Sequence, residues 1–393
     1  MAELFSSALP SDIRAYEREW TVLRECVSPW RENERVPKSL SGVDWTRLVL
    51  LAEEHGVVGQ LAACLNSCDS QLIPPEIQQT LLEHVRAQNL KTLQLTAELF
   101  RLLQLFGKQG ISALVIKGPV LAKQAYADLS VRTYGDLDLL VRQSDIRHAT
   151  ELMMASGYEA AVSLDAIDAG KIPGQYLFSK SDSQLLVELH NDFTLRYFPR
   201  PLPIEELFAR QDRMRIEAHE VPAPCVEDHL VLICVHGAKH FWERLSWIAD
   251  VAGLVAQQTN MDWERAASTA RTVQSEHLLH TGLRLAVDVF RARLPEPVSS
   301  SVRDDAAASK LAARVLSWLP AAGYATPSLF QRAAFRLQMR GGFFAAPAYL
   351  LKLSLSPTEE DWQADGRLGH NSFLDVVRRP FRLARKYGRN SKA

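Results

Sequence analysis

Residues 115–142 read VIKGPVLAKQAYADLSVRTYGDLDLLVR, and this stretch decides the fold: an apolar strand, a turn and helix, then a second apolar strand. The first strand ends in Lys117-Gly118, and Asp136-Leu137-Asp138 opens the second. Side chains alternate along a strand, so Asp136 and Asp138 project to one face while Leu137 and Leu139 project to the other. Two carboxylates one pleat apart repel each other unless a cation lies between them. That arrangement suits a hard divalent ion such as Mg²⁺ (or Mn²⁺), held by one or two carboxylates together with substrate phosphates.

Outward from that stretch, residues 175–193 (QYLFSKSDSQLLVELHNDF) have the pattern of two strands around a polar turn at Ser179 to Ser183. In the second strand Leu186, Glu188 and His190 share one face, and Leu185, Val187 and Leu189 share the other. An acid in the middle of such a strand is costly to bury without a partner. A metal held by Asp136 and Asp138 would supply one, which makes Glu188 the third candidate ligand. Three carboxylates on neighbouring strands can hold ions for an in-line phosphoryl displacement.

Around these strands the order is strand 113–116, helix 119–127, strand 137–141, helix 144–156 capped by Ser144 and ended by Gly157, and then the hairpin. This predicts a compact mixed α/β unit over residues 111–222. The flanks are helical. Residues 1–110 include a helix from Trp45 stopped by Gly56, and a long helix from Pro74-Pro75 to about Phe106. Residues 223–393 form a second helical region, beginning with a helix over Glu227 to Ala238. The fold class is therefore α+β, with a small mixed sheet between N-terminal and C-terminal helical regions.

In the second region His236 and His240 lie one turn apart on one helix face, as zinc ligands often do. No H-E-x-x-H and no third ligand accompany them. The preferred reading is a polar wall, in which His236, Lys239 and His240, with Arg244 and Asp250 on the next helix, face the metal acids across a cleft. Trp242 and Trp247 fit either stacking on a base or packing between helices.

The segments KGPVLAKQAYAD, VRTYGDLDLLV and LLVELHNDF resemble the bacterial uncharacterised nucleotidyltransferase family of the DNA-polymerase-β-like superfamily, and the likeness continues into residues 227–254. It implies a metal-dependent transfer of a nucleoside monophosphate from an NTP, with ATP the expected donor, and release of pyrophosphate. The superfamily's metal acids carry over to Asp136 and Asp138, with Glu188 as the third. Its glycine-serine turn is Gly118-Pro119 here, and the gap to Asp136 is longer than usual. Gly118 would bring a backbone N–H to a phosphate, at the positive end of the helix that follows. Lys117 and Arg132 are the nearest cations for phosphate oxygens, and His190, His236, Lys239, His240 and Arg244 complete the expected nucleotide-binding set. Replacing Asp136 or Asp138 with Asn is expected to cost at least about 100-fold in turnover, with the fold intact.

Composition narrows the acceptor. Across 393 residues, 45 basic and 46 acidic side chains leave a formal charge of −1, so no global field draws the chain to nucleic acid. A small molecule, a carbohydrate precursor or a peptide is the expected acceptor. The alternatives are a toxin-like enzyme that adds nucleotides to protein or RNA, and a catalytically idle nucleotide-binding scaffold in a biosynthetic complex. Five scattered cysteines read as reduced thiols. The opening residues turn polar before an apolar run accumulates, and no apolar run reaches the ~20 residues of a membrane span. The expected location is the cytoplasm. The C-terminal segment from Arg378 holds seven Lys or Arg and no acid, which fits a weak contact with an anionic surface.

Overall fold

A computed structural model describes residues 17–30, 40–164, 167, 174–180, 184–192, 203–319 and 327–339. The basic segment from Arg378 lies outside the described residues. Among the described residues, three helices come first: α1 (Glu17–Val27), α2 (Trp45–Glu54) and α3 (Val58–Leu65). Asp44 caps α2 by accepting from the Arg47 N–H. The long helix α4 (Pro75–Lys108) starts with proline at its first position, where the missing N–H has no intrahelical partner to lose.

The sheet comes next. It consists of β1 (Ala113–Val115), β2 (Asp136–Val141), β3 (Glu159–Ala160), β4 (Gln175–Lys180) and β5 (Leu185–His190), in the order β1-β2-β5-β4-β3. Between them lie α5 (Gly118–Tyr126) and α6 (Ile146–Ala155). Among these described strands only the β2–β5 pairing is parallel, and its register sets Asp136 beside Leu186 and Asp138 beside Glu188. Helix α6 starts after Ser144 rather than on it. The Ser144 hydroxyl donates to the Asp145 carboxylate instead of capping the helix. Gly157 ends α6 at φ +84°, as the sequence predicts.

The two faces of the sheet separate by chemistry. Leu137, Leu139, Val187 and Leu189 lie in one buried cluster with Leu99 and Phe106 of α4. Each buried side chain of this size contributes roughly 1.5–3 kcal/mol. The opposite face carries Asp136, Asp138, Glu188 and His190, and α5 covers part of it.

Beyond the sheet come α7 (Ile204–Ala209) and a hairpin of β6 (Asp212–Ile216) and β7 (His219–Ala223) that sits beside β1. No sequence signal marks this hairpin, because its two-residue turn lacks glycine and asparagine and places Glu217 at φ +51°. Helices α8 (Val226–Lys239), α9 (Leu245–Gln257), α10 (Trp263–Thr272), α11 (Glu276–Phe290), α12 (Glu296–Asp304), α13 (Ala306–Trp318) and α14 (Leu329–Gln338) complete the described chain. Helices before and after the sheet share one core: Leu23, Leu48 and Leu61 lie in the same buried cluster as Leu230, Leu254 and Leu283. Buried His55 fastens them, accepting the Leu245 N–H on Nδ1 while its carbonyl accepts from Ser246. No described helix is long and apolar enough to cross a membrane.

Candidate functional site

Strand periodicity puts the acids on one face, and the parallel register brings them together across strands. Asp138 is almost fully buried, at 1% exposure. A carboxylate in that setting needs partners, and Lys117 and His190 supply them. Lys117 Nζ donates to Asp138 Oδ1 at 2.7 Å, and His190 Nε2 lies 3.0 Å from the same oxygen. His190 Nε2 is also 3.4 Å from Glu188 Oε2, so the imidazole bridges the two acids. Glu188 Oε2 accepts from Gln175 Nε2, and Gln175 Oε1 accepts from Lys239 Nζ at 2.8 Å. A continuous polar chain thus runs from the start of α5, across β2, β5 and β4, to the end of α8. The cross-strand pairing of Gln175 with His190 is what places Gln175 in it.

Charge and burial set the protonation of this chain. Burial works against the Asp138 charge, but Lys117 and then His190 outweigh it and hold its carboxyl below the usual range. Glu188 is likewise lowered against burial, chiefly by its hydrogen bond to His190. Burial opposes the charges of Lys117 and His190 as well. Attraction to Asp138 and Glu188 raises both above their ordinary values. Asp136 differs. Burial first, then the charge on Asp138, push it up to about 6. It sits at the more open end of β2, where the Lys117 charge offsets only part of that push.

Among the described residues, one ligand atom from each of Asp138, Glu188 and His190 lies within 4.8 Å of the others. Asp136 shares their face but is not in this tight group. The donor set fits a hard divalent ion. Asp138 and Glu188 offer oxygens, Asp136 lies on the same face, and the raised Asp136 carboxyl is what an added cation would relieve. His190, held between the two carboxylates, fixes both of them and also offers the third ligand atom of this group.

Arg132 reaches the site from the side. Its guanidinium grips Asp250 of α9 through Nε at 3.0 Å and Nη2 at 3.1 Å, and the Tyr126 hydroxyl donates to the same carboxylate. Nη1 is buried and has no hydrogen-bond partner among the described residues. The loop that carries Arg132 lies against Gly59 of α3, where a Cβ would collide with the Val131 carbonyl oxygen. Gly118 occupies φ +56° at the first turn of α5, a conformation that favours glycine.

The wall from α8 and α9 carries His236, Lys239, His240 and Trp247. The imidazoles of His236 and His240 stand 4.5 Å apart between centroids, with the Trp247 ring 5.2 Å from His240. Burial, then the nearby Lys117 charge, drives His236 well below its ordinary value. Burial and Lys239 push His240 down to about 3. Both rings are neutral at pH 7. Arg244 is exposed at the start of α9, and its charge adds to the lowering of His240. Trp242 is a packing residue, fully buried against Gly237 and Gly282. Sequence reasoning missed Gln175 and Tyr126, and gave Lys117 and Arg132 no protein partners within the site. The cross-strand register holds the signal for Gln175; nothing local marks Tyr126.

The profile of a family described as "Uncharacterised nucleotidyltransferase" matches residues 41–291. No curated protein and no solved structure matches the chain.

Proposed function

The chain belongs to the uncharacterised nucleotidyltransferase family, and from that premise we propose that it moves a nucleoside monophosphate from an NTP, ATP first among them, to a small-molecule, carbohydrate or peptide acceptor. The single observation that carries the reading is the β2–β5 register, which sets Asp138 beside Glu188 with Asp136 on the same face.

Asp138 and Glu188, with Asp136 from the rim, would hold Mg²⁺ or Mn²⁺. Such an ion, when bound, neutralises charge on the α-phosphate and on the departing pyrophosphate. The protein's own groups do the rest. Lys117 and the first N–H groups of α5 form an anion-binding corner for the triphosphate, with Gly118 allowing close approach. The spare Nη1 of Arg132 adds a second donor, and the grip on Asp250 fixes its direction. His190 positions the two acids it bridges. The acceptor hydroxyl oxygen attacks the α-phosphorus, its proton passing to solvent, as the bond to pyrophosphate breaks, and the chain supplies orientation and electrostatics rather than a covalent intermediate. His240 and Trp247 offer neutral aromatic surface near the acids for the base or the acceptor. The near-zero net charge supports an acceptor other than a long nucleic acid.

The test is incubation with α-labelled NTPs and fractionated cell extract, with and without Mg²⁺. Label should pass to one fraction in a metal-dependent way. Glu188→Gln should slow the transfer at least about 100-fold, equivalent to roughly 3 kcal/mol of transition-state stabilisation. Transfer by Glu188→Gln at the wild-type rate would refute the assignment.

A further inference from the structure

The salt bridge at the centre of the site bears on how metal and nucleotide are loaded, an inference that rests on the metal-dependent function proposed above. Lys117 Nζ lies 2.7 Å from Asp138 Oδ1, with the two side chains 13% and 2% exposed. The same oxygen receives His190 Nε2 at 3.0 Å. A hard divalent ion binds carboxylate oxygens at roughly 2.0–2.6 Å. An ion at that distance from Oδ1 would stand within a few ångströms of the ammonium, deep in a poorly hydrated site where like charges repel strongly. An ion on the other oxygen, Oδ2, would meet the same ammonium across one carboxylate, so the ion and the lysine compete for Asp138.

Lys117 also has somewhere else to go. It is the residue just before α5, and Gly118 at φ +56° turns the chain so that the first N–H groups of the helix lie next to the lysine's own backbone. An anion at that helix end would sit within reach of a flexible four-carbon stem.

We propose that Lys117 is a resident counter-cation: in the empty site it neutralises Asp138 in place of the divalent ion, and it leaves for the triphosphate when nucleotide and metal enter together. The consequence is thermodynamic coupling. Metal alone binds weakly, because it must displace the ammonium from a buried partner. Nucleotide gives the ammonium a new anion, so each ligand strengthens the other by the same factor. The arrangement also keeps the acids from holding a stray divalent ion when no nucleotide is present.

Lys117→Met keeps the stem and removes the charge. Mn²⁺ binding followed by electron paramagnetic resonance without nucleotide should be about tenfold or more tighter in Lys117→Met than in wild type. A non-hydrolysable ATP analogue should tighten Mn²⁺ strongly in wild type and much less in the variant. Equal or weaker Mn²⁺ binding by folded Lys117→Met, checked by circular dichroism, overturns the inference while leaving the metal reading intact. Absence of Mn²⁺ binding by wild type and variant alike, with and without the analogue, overturns the metal reading and this inference with it. Should Lys117→Met fail to fold, the wild-type protein still decides. Its ¹⁵N-labelled Lys117 ammonium resonance should shift when Mg²⁺ and the analogue are added together, and an unchanged resonance overturns the inference.

Discussion

Changing Asp136 and Asp138 to Asn in separate variants, with metal removed by EDTA, should shift stability in opposite directions although the two residues are one pleat apart. The folded protein raises the Asp136 carboxyl from 3.8 to about 6. At about 1.36 kcal/mol per unit, ionised Asp136 costs the fold at most about 3 kcal/mol, and water at the rim reduces this to about 1–2 kcal/mol. Proton counting gives the sign. Between pH 3.8 and 6 the folded state keeps a proton that the unfolded state has lost, so stability falls as pH rises through that window. Asp136→Asn should therefore stabilise the apo protein by about 1–2 kcal/mol at pH 8, with the gain shrinking to about half at pH 5. Asp138 is the reverse. Its carboxyl is depressed by Lys117 and His190, so its contribution is present above about 3.8 and is lost only as pH falls below that value. Breaking this buried pair strands Lys117, at about 3–5 kcal/mol. By sequence alone, either Asn variant keeps the fold by relieving repulsion. The salt bridge to Lys117 reverses that expectation for Asp138. Urea denaturation at pH 8 and pH 5 measures both effects as midpoint shifts at constant slope. A destabilised Asp136→Asn, or an Asp138→Asn as stable as wild type, would refute the electrostatic account of the site.

Asp250→Asn should destabilise by about 3–5 kcal/mol, because it leaves the Arg132 guanidinium buried without its partner charge; a loss under about 1 kcal/mol in chemical denaturation would show that the pair does not hold the loop. Acid should weaken the fold early: burial holds His55 at about 3, His229 at about 4 and His240 at about 3, so each stays neutral in the folded state when the unfolded state gains a proton below about 6.5. Each adds a slope of about 1.4 kcal/mol per pH unit, and a stability profile that is flat between pH 6.5 and 5 would contradict their burial as neutral rings. His190 contributes the opposite sign, since its raised pKa gives stability that is present below 6.5 and lost as pH rises through the folded value.

How much of the fold and site is legible in the sequence depends on the range of the interaction. The face shared by Asp136, Asp138, Glu188 and His190 follows from a period of two, which two short apolar segments display without ambiguity. Four of the sheet's five strands and the helices α4, α5, α6 and α8 follow from similarly local patterns, whereas the two-residue β3 is too short to show one. Partners are not legible. Lys117 and Asp138 are 21 residues apart, and Arg132 finds Asp250 across 118 residues. Such pairings depend on how helices pack, which periodicity does not encode. The same limit explains Gln175, whose role appears only once its cross-strand register with His190 is fixed. The β6–β7 hairpin escapes a sequence reading because its turn adopts a left-handed residue, Glu217, without the glycine or asparagine that usually signals one. Ser144 fits a helix cap by residue type alone, but Asp145 captures its hydroxyl.

The central claim is that acids from β2 and β5 hold a divalent cation beside a triphosphate. Crystals of the wild-type protein soaked with Mn²⁺ and a non-hydrolysable ATP analogue test it by anomalous diffraction. The expected result is a manganese peak at roughly 2.0–2.6 Å from carboxylate oxygens of Asp138 and Glu188, with a phosphate oxygen of the analogue in the same coordination sphere. Nucleotide bound elsewhere, or a site that stays free of manganese at saturating concentration with Lys117 still on Asp138, would contradict it.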